Sequence, residues 1–154
     1  MIVPFRPWST REYFSPTSET QNIDLNDIAV LIPARNEEKH IEETLTCINK
    51  QGYGHKIILV DDESTDGTSD KALELGVKNL QLVNGTSPPE GWSGKVWALH
   101  QGFQEVSTPL VLLVDADIKI EPRVLPSLVR MMKKNDYDFV SIMALLRTST
   151  FWEK

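Results

Sequence analysis

The fold is decided by the stretch Ile28-Ala-Val-Leu-Ile-Pro-Ala-Arg-Asn-Glu37. Its first five residues are all apolar, and polar residues begin soon after Pro33. A short apolar run of this kind is typical of a β-strand buried on both faces, as in a parallel sheet between two layers of helices. The polar residues that follow then lie at the carboxyl end of the strand, where such sheets bind their ligands.

The same alternation of apolar runs and helix-like segments continues along the chain. We predict strands at 28–32, 56–60, 79–83, 109–114 and 137–143, with helices at 37–50, 68–75, 95–106 and 122–134. Strands that alternate with helices predict an α/β fold with a mostly parallel, Rossmann-like sheet flanked by helices. A chain of 154 residues is long enough for one such domain. We assign residues 27–154 to this domain and residues 1–26, which contain three prolines, to a leader or linker.

The charge and cysteine content exclude some functions. The formal net charge is −6 and no basic cluster stands out, so we expect no nucleic-acid partner. Cys47 is the single cysteine, which fits a cytoplasmic location, and its helical spacing predicts a small buried side chain. No apolar run approaches the roughly 20 residues of a membrane-spanning helix. Near the N-terminus, Phe5, Arg6 and Trp8 suit a membrane surface, and a disordered leader is the alternative.

Acidic residues follow three of the predicted strands: Glu37, Asp61, Asp62, Asp115 and Asp117. Because the carboxyl ends of parallel strands share one edge of the sheet, these carboxylates should converge and repel one another unless a cation is present. Asp115 and Asp117 are two residues apart, so both should point to the same side. This pair can hold Mg²⁺ or Mn²⁺, which completes its shell with phosphate oxygens and water. A solvated turn is the alternative.

Asp61 and Asp62 are adjacent, so their side chains should point in different directions. One of them can accept a hydrogen bond from a base N–H, and the other from a ribose hydroxyl or a backbone turn. The alternative is that both are exposed acids beside a helix that Ser64 or Asp66 caps.

Lys95 follows Gly94 and opens a predicted helix. An ammonium group beside a helix N-terminus attracts phosphate, so this is a candidate phosphate site. It is not a Walker A loop, because Pro89 and Val96 stand where that motif requires glycine and Ser or Thr. After the first strand, Arg35 can pair with a phosphate or with a neighbouring glutamate, Glu37 or Glu38.

The aromatic and histidine residues are expected to be mainly structural. Trp92 and Trp97 flank Lys95, and we interpret them as core or lid residues, with stacking on a sugar as the alternative. The three histidines show no metal-ligand spacing to one another, and we expect structural roles for His40, His55 and His100.

Four motifs occur in one order, each after a strand or before a helix. They are Ile32-Pro-Ala-Arg-Asn-Glu37, Val60-Asp-Asp-Glu-Ser-Thr-Asp-Gly-Thr68, Gly94-Lys-Val-Trp-Ala-Leu99 and Val114-Asp-Ala-Asp-Ile118. Together they resemble the family 2 glycosyltransferases, which have the GT-A fold. The stretch from Pro89 to Ala98 is most similar to the hopene-associated glycosyltransferases, and the ceramide glucosyltransferases are a more distant likeness. The resemblance spans roughly residues 28–154.

The resemblance implies a glycosyltransferase that uses a nucleotide-sugar donor, a UDP-sugar first of all, with Mg²⁺ or Mn²⁺. It implies Asp115 and Asp117 as the catalytic D-x-D pair that binds the metal, with Lys95 and Gly94 near the diphosphate. It implies nucleotide contacts from Pro33, Ala34, Arg35, Glu37, Asp115 and either Asp61 or Asp62. Glu63 departs from the pattern, since the family most often has glycine there. The acceptor implied is a hydroxyl group, with a lipid as one candidate, at the cytoplasmic face of the membrane.

Family members continue past the D-x-D pair to an acidic general base and often to a Q/R-x-x-R-W segment. The present sequence reaches Lys154 without either motif. The alternative function is therefore an inactive nucleotide-sugar-binding fragment that needs a further segment or a partner. A receiver domain or a D-x-D phosphatase would place its acids after the first strand, where Pro33-Ala-Arg-Asn36 stands.

Overall fold

The computed structural model describes residues 14–16 and 24–143. Strands and helices alternate strictly along this part of the chain. In order they are β1 (Ile28–Ala34), α1 (Ile41–Asn49), β2 (Lys56–Asp61), α2 (Thr68–Glu74), β3 (Leu80–Asn84), α3 (Gly94–Phe103), β4 (Leu110–Leu113) and α4 (Val124–Asn135). The predicted leader falls largely on residues outside the described ranges.

The four strands form one parallel sheet in the order β3-β2-β1-β4. Parallel neighbours need a crossover connection, and each connection in this chain contains a helix. The register places Ala34 beside Asp61 and Asp61 beside Asn84, so three strands end at one level. This confirms the predicted α/β class and places the polar residues that follow β1 and β2 together.

Helices cover both faces of the sheet, which explains why the central strands are apolar throughout. On one face, Val30, Ile32, Ile57 and Leu59 pack with residues of α1, α2 and α4. On the other face, Ala29, Leu31, Ile58 and Val60 pack against Ala98 of α3. Successive residues of a strand alternate between the two faces, so a strand with two covered faces has no place for polar side chains.

Helix α3 lies very close to the sheet at Gly102. A Cβ atom at this position would lie 2.5 Å from Cγ2 of Val60 and would also collide with Leu31. Glycine is therefore required at this position by space. This close approach fixes the position of α3, whose first residues, Gly94 and Lys95, reach the carboxyl end of the sheet.

His55 is fully buried before β2, and neither ring nitrogen has a hydrogen-bond partner among the described residues. Burial lowers the pKa of this imidazole below its ordinary value. A neutral, packed histidine agrees with the structural role expected for it. Cys47, by contrast, is only partly buried on α1, whereas a buried side chain was predicted.

Most predicted boundaries lie within two residues of those in the structure, but two helix boundaries differ by three or more residues and one predicted element is absent from the described residues. Helix α1 begins at Ile41 and not at Glu37: residues 38–40 form a turn before it, in which His40 N donates to Glu37 O (2.9 Å). Helix α3 ends at Phe103, three residues earlier than predicted.

The fifth strand predicted at 137–143 is wrong. These residues have no regular secondary structure, and Phe139 is 81% exposed. A strand needs a partner for its backbone groups, and no described strand lies beside this segment. Within residues 24–143, β4 is therefore an edge strand, with Val111 and Leu113 exposed. None of the helices in the described ranges combines the length and hydropathy that crossing a membrane requires.

Candidate functional site

A pocket of about 410 Å³ opens at the carboxyl edge of the sheet. Four segments contribute to it: the ends of β1 and β2, the first turn of α3 and the loop after β4. The lining residues are Pro33, Ala34, Arg35, Glu37, Asp62, Gly94, Lys95, Asp115, Ala116 and Asp117. Of the site residues predicted from the sequence, Asp61 alone is not among them. The structure thus brings together residues up to 84 positions apart in the sequence.

The loop after β4 continues the in-and-out alternation of a strand. Val114 and Ala116 are buried in the core, whereas Asp115 and Asp117 are exposed. Both carboxylates therefore leave the loop on its solvent side, as two residues at i and i+2 should. A hydrogen bond from Ile118 N to Asp115 O (3.2 Å) closes the turn. We call residues 115–117 the acidic loop.

Lys95 lies directly beside the acidic loop. Its Nζ donates to Asp115 Oδ1 at 2.7 Å, and both side chains are more than half exposed. A pair this exposed contributes on the order of 0–1 kcal/mol to stability, so it can be exchanged for another partner at little cost. Lys95 also belongs to the first turn of α3, where Ser93 makes no side-chain capping bond. Free backbone N–H groups and an ammonium group thus meet at the pocket.

Asp62 is the most deeply buried acid of the pocket. It is 5% exposed, and its Oδ1 has no hydrogen-bond partner within the described residues. Its Oδ2 lies 3.6 Å from Nη1 of Arg35. Gly94 permits this arrangement, because a Cβ there would lie 3.1 Å from the same Oδ2. A buried oxygen without a donor is costly, so this position favours a ligand that brings an N–H or O–H group.

Arg35 differs from one of the two interpretations made from the sequence, the pairing with Glu37 or Glu38. It pairs with Asp62, and no ion pair to Glu37 or Glu38 is present in the described part of the chain. The two residues are 27 positions apart in the sequence, and no sequence pattern indicates that they pair. The guanidinium remains largely exposed at the pocket, so it can still meet an anionic ligand.

Asp61 has the opposite surroundings to Asp62. Its Oδ1 accepts a hydrogen bond from Ser64 N (2.9 Å), and its Oδ2 accepts one from the hydroxyl of Ser69. Both oxygens are used inside the loop that joins β2 to α2. The expectation that the two neighbours point in different directions agrees with this geometry, and Asp61 is the one turned towards the fold.

Glu63 occupies the position where glycine was expected, and its backbone shows why glycine suits it. Its φ angle is 55°, in the left-handed region that residues with a Cβ atom enter at a cost of about 1–2 kcal/mol. The Glu63 carboxylate accepts a hydrogen bond from Ser87 Oγ (2.7 Å), which links this turn to the loop before α3.

The loops after β1 and β2 are joined by a set of short hydrogen bonds. Asn36 N donates to Ser64 Oγ (3.0 Å), and Thr65 N donates to Asn36 Oδ1 (2.8 Å). Asp66 Oδ2 accepts from Glu38 N (3.2 Å). The hydroxyl of Thr68 donates to Asp66 and, with the backbone donors, lowers the pKa of its carboxyl group. Asp66 Oδ1 also accepts from Thr68 N (3.0 Å) at the start of α2, so the capping expected of Asp66 is present, whereas Asp62 is buried and not an exposed acid.

Two residues that no sequence motif marked, one in α1 and one just after it, position the chain after β4. Thr44 Oγ1 donates to Ala116 O at 2.7 Å. Gln51 Nε2 donates to Glu121 O (2.9 Å), and its Oε1 accepts from Leu125 N (3.1 Å). Each contact joins residues at least 70 positions apart. Helical spacing identifies these residues as buried, but no sequence pattern indicates their partners.

Trp92, Trp97 and His100 form an aromatic cluster with ring centroids 5.1–5.3 Å apart. Trp97 Nε1 donates to Thr86 Oγ1 (3.3 Å), so the cluster holds the loop before α3 against the helix. Neither tryptophan lines the pocket. This geometry favours the structural interpretation over stacking on a sugar.

The acidic loop can hold a metal only if other groups complete the coordination shell. No group of three or more His, Cys, Asp or Glu side chains gathers into a metal site in the described ranges. Two exposed carboxylates on one side of a loop fit Mg²⁺ or Mn²⁺, provided that a ligand and water supply the other oxygens. The residues therefore fit a cation that is bound together with an anionic ligand.

A parallel sheet with an acidic loop and a lysine at its carboxyl edge is suited to bind a phosphorylated ligand together with a cation. Similarity to known proteins identifies the class: the solved structures that it matches are GT-A glycosyltransferases. The family model described as Glycosyl transferase family 2 matches residues 29–152. The chain belongs to this family.

One curated relative is the dolichol-phosphate mannosyltransferase of Pyrococcus furiosus, 35% identical over 108 residues. Among solved structures, TarS 1-349 of S. aureus in complex with UDP has a TM-score of 0.60 at 26% identity. The mannosyltransferase PcManGT of Pyrobaculum calidifontis, in complex with GDP-Man and Mn²⁺, has a TM-score of 0.59 at 28% identity. These likenesses cover 69%, 71% and 69% of the chain, respectively, and 30%, 32% and 32% of the three proteins. The chain thus spans about a third of the length of these relatives.

Proposed function

We propose that this chain binds the nucleotide-sugar donor of a glycosyl transfer, with a UDP-sugar as the donor. The observation that carries the proposal is the composition of the pocket at the carboxyl edge. A buried carboxylate without a donor among the described residues, Asp62, lies at one side of it. The acidic loop and Lys95 lie at another. These groups suit a base, a diphosphate and a cation, which are the parts of the proposed ligand.

Asp62 recognises the base in this proposal. Asp62 lines the pocket, and its carboxylate can accept a hydrogen bond from a ring N–H, such as that of uracil. Asp61 suits this role less, since each of its oxygens already accepts a hydrogen bond, one from Ser64 and the other from Ser69, and it does not line the pocket. Pro33 and Ala34 supply a flat backbone edge beside the base, and Glu37 lies at the rim of the pocket.

The diphosphate is bound by positive groups at the opening of α3. Lys95, the free N–H groups that begin at Gly94 and the guanidinium of Arg35 surround the same space. On binding, Lys95 exchanges Asp115 for phosphate oxygens, a change that its exposed ion pair makes inexpensive. A ligand with two phosphates therefore gains contacts that a nucleoside lacks.

Asp115 and Asp117 hold Mg²⁺ or Mn²⁺ against the diphosphate. Such a cation neutralises the negative charge that develops on the departing nucleoside diphosphate. The GDP-Man and Mn²⁺ complex of the related mannosyltransferase supports a divalent metal, and the UDP complex of TarS supports a uridine donor. The transfer is proposed to be inverting, with an acceptor hydroxyl attacking the anomeric carbon in line.

The acceptor is proposed to be lipid-linked and the protein to act at the cytoplasmic face of a membrane. The name of the related dolichol-phosphate mannosyltransferase supports a lipid acceptor. The second candidate function is a nucleotide-sugar-binding unit without turnover. It is favoured by the fact that every residue of the proposed site belongs to the donor side of the reaction.

The test is calorimetric titration of the 154-residue chain with UDP, with and without Mn²⁺. We expect Mn²⁺ to strengthen UDP binding, and Asp117→Asn to abolish that gain, because one of two charged ligands is lost. The control is Asp136→Asn, an exposed acid after α4 that lies outside the pocket. Unchanged Mn²⁺-dependent affinity in Asp117→Asn would reject the metal assignment. UDP release from UDP-sugars then separates the two functions: binding without release supports the non-catalytic unit.

A further inference from the structure

We infer that Thr44 is a positioning residue for the metal-binding carboxylates, an inference that rests on the proposed function. Thr44 lies in the middle of α1 and is 2% exposed. Its hydroxyl donates to the carbonyl oxygen of Ala116, the residue between Asp115 and Asp117. The inference assigns a role in cation binding to a side chain that touches neither the cation nor the nucleotide.

The Thr44 hydroxyl donates its hydrogen bond to a residue outside α1. A threonine inside a helix commonly donates its hydroxyl to the carbonyl four residues earlier. In α1 that carbonyl, His40 O, accepts the backbone N–H of Thr44. The Thr44 hydroxyl instead reaches a residue 72 positions away at 2.7 Å. A buried donor and acceptor that meet at this distance form a bond whose loss leaves a polar group unsatisfied.

The helix that carries Thr44 is a rigid support. Ile41, Leu45 and Ile48 of α1 are fully buried in the core against the sheet. Gln51, just past the end of the helix, holds Glu121 O and Leu125 N at the far end of the connection between β4 and α4. Helix α1 and the residue after it thus fix this connection at both ends, and Thr44 is the contact with the acidic loop.

The acidic loop has little other support for its backbone. Regular pairing with β1 stops at Val114 N, which donates to Leu31 O. The bond from Ile118 N to Asp115 O lies within the turn itself. Within the described ranges, the bond from Thr44 is the one that ties the main chain of residues 115–117 to another element.

The orientation of the Ala116 peptide determines where both carboxylates point. Ala116 is buried, and its two neighbours leave the loop on the opposite side. A rotation of this peptide would move the Asp115 and Asp117 oxygens in different directions. Mg²⁺ demands near-ideal octahedral geometry and Mn²⁺ favours it, so a change in the direction of both carboxylates weakens binding. Residues that orient metal ligands typically change metal affinity by roughly 10–100-fold when replaced.

The experiment compares Thr44→Val, which keeps the shape and removes the donor, with Thr44→Ser, which keeps the donor. Mn²⁺ binding in the presence of UDP is measured by the EPR signal of free Mn²⁺, and UDP binding without metal is measured separately. We expect Thr44→Val to raise the Kd for Mn²⁺ by about 10-fold or more, and Thr44→Ser to stay within about 3-fold of the unaltered chain. UDP binding without metal should be the same in all three proteins.

The matched control is Thr46→Val, the same substitution on α1 at a residue with no hydrogen bond to the acidic loop in the described part of the chain. It should bind Mn²⁺ like the unaltered chain. Should Thr44→Val fail to fold, the serine variant carries the test. Impaired Mn²⁺ binding in folded Thr44→Ser overturns the inference.

Two further outcomes separate this inference from the proposed function. If folded Thr44→Val still binds Mn²⁺ normally, the role of Thr44 is overturned and the proposed function is not. The same holds if the variant loses UDP affinity equally with and without metal. Absence of any Mn²⁺-dependent UDP binding by the unaltered chain contradicts the proposed function and the inference with it.

Discussion

Asp61 and Asp62 are adjacent acids that carry out different tasks. Asp61 uses both oxygens to hold the loop between β2 and α2. Asp62 lines the pocket and keeps a buried oxygen that has no hydrogen-bond partner among the described residues. The sequence predicts that neighbours diverge, but it does not say which one faces the ligand. That choice depends on Ser64 and Ser69, whose distance from Asp61 is set only when α2 packs.

The difference between these two acids gives a prediction at the scale of the residue. Asp62→Asn should weaken both UDP and uridine binding by about 10-fold or more. It should not lower stability, because the carboxylate removed has a buried oxygen without a donor in the described part of the chain and its ion-pair partner Arg35 is exposed. Asp61→Asn should lower the free energy of unfolding by about 1–2 kcal/mol and leave the affinity of the folded protein nearly unchanged. Calorimetry and urea denaturation measure the two effects. A loss of stability in Asp62→Asn together with a loss of UDP affinity in Asp61→Asn would contradict the separate roles of the two acids.

At the scale of the element, the sequence predicted the first four strands and all four helices, because each carries a clear apolar period. It failed at 137–143, where Tyr137 and Phe139 suggest a strand but no neighbouring strand is present among the described residues. An apolar run indicates what a segment can bury, whereas pairing depends on a partner elsewhere. The contact from Thr44 to the acidic loop was missed for a similar reason, since it joins elements that are distant in sequence.

Helix α3 carries the prediction at this scale. Gly102→Ala should lower the free energy of unfolding by about 2 kcal/mol, because the added methyl collides with Leu31 and Val60. It should also weaken UDP binding, since Gly94 and Lys95 move with the helix. Phe103→Ala is the control, at an exposed neighbour that does not touch the sheet core. Equal stability of Gly102→Ala and the unaltered chain in urea would contradict the close packing.

At the scale of the whole molecule, the described part of the chain is asymmetric. The carboxyl edge of the sheet gathers the pocket, while the side edge at β4 leaves Val111 and Leu113 exposed. Unpaired edge strands with apolar side chains tend to pair with other chains. The family match and the GT-A neighbours agree with the fold predicted from four motifs, while the leader at 1–26 stays a prediction.

The edge strand gives the prediction for the whole molecule. The unaltered chain should associate with itself as concentration rises, and Val111→Lys should reduce this, because a charge on the edge opposes pairing. Val96→Lys is the matched control, an exposed apolar residue on α3 away from the edge. Sedimentation velocity over a concentration series measures the effect. A monomeric unaltered chain at all concentrations would show that other residues cover the edge.

The unpaired oxygen of Asp62 has a practical consequence for finding the natural donor. Without a ligand, the protein keeps a carboxylate oxygen buried without a hydrogen-bond donor from the described residues, which is unfavourable. A molecule that supplies the missing donor stabilises the folded protein, and a ligand at 100 times its Kd adds about 2.7 kcal/mol. A melting curve recorded against a library of nucleotide sugars can then rank candidates by thermal shift. Asp62→Asn serves as the reference protein. The same nucleotide sugars should raise its melting temperature less than that of the unaltered chain.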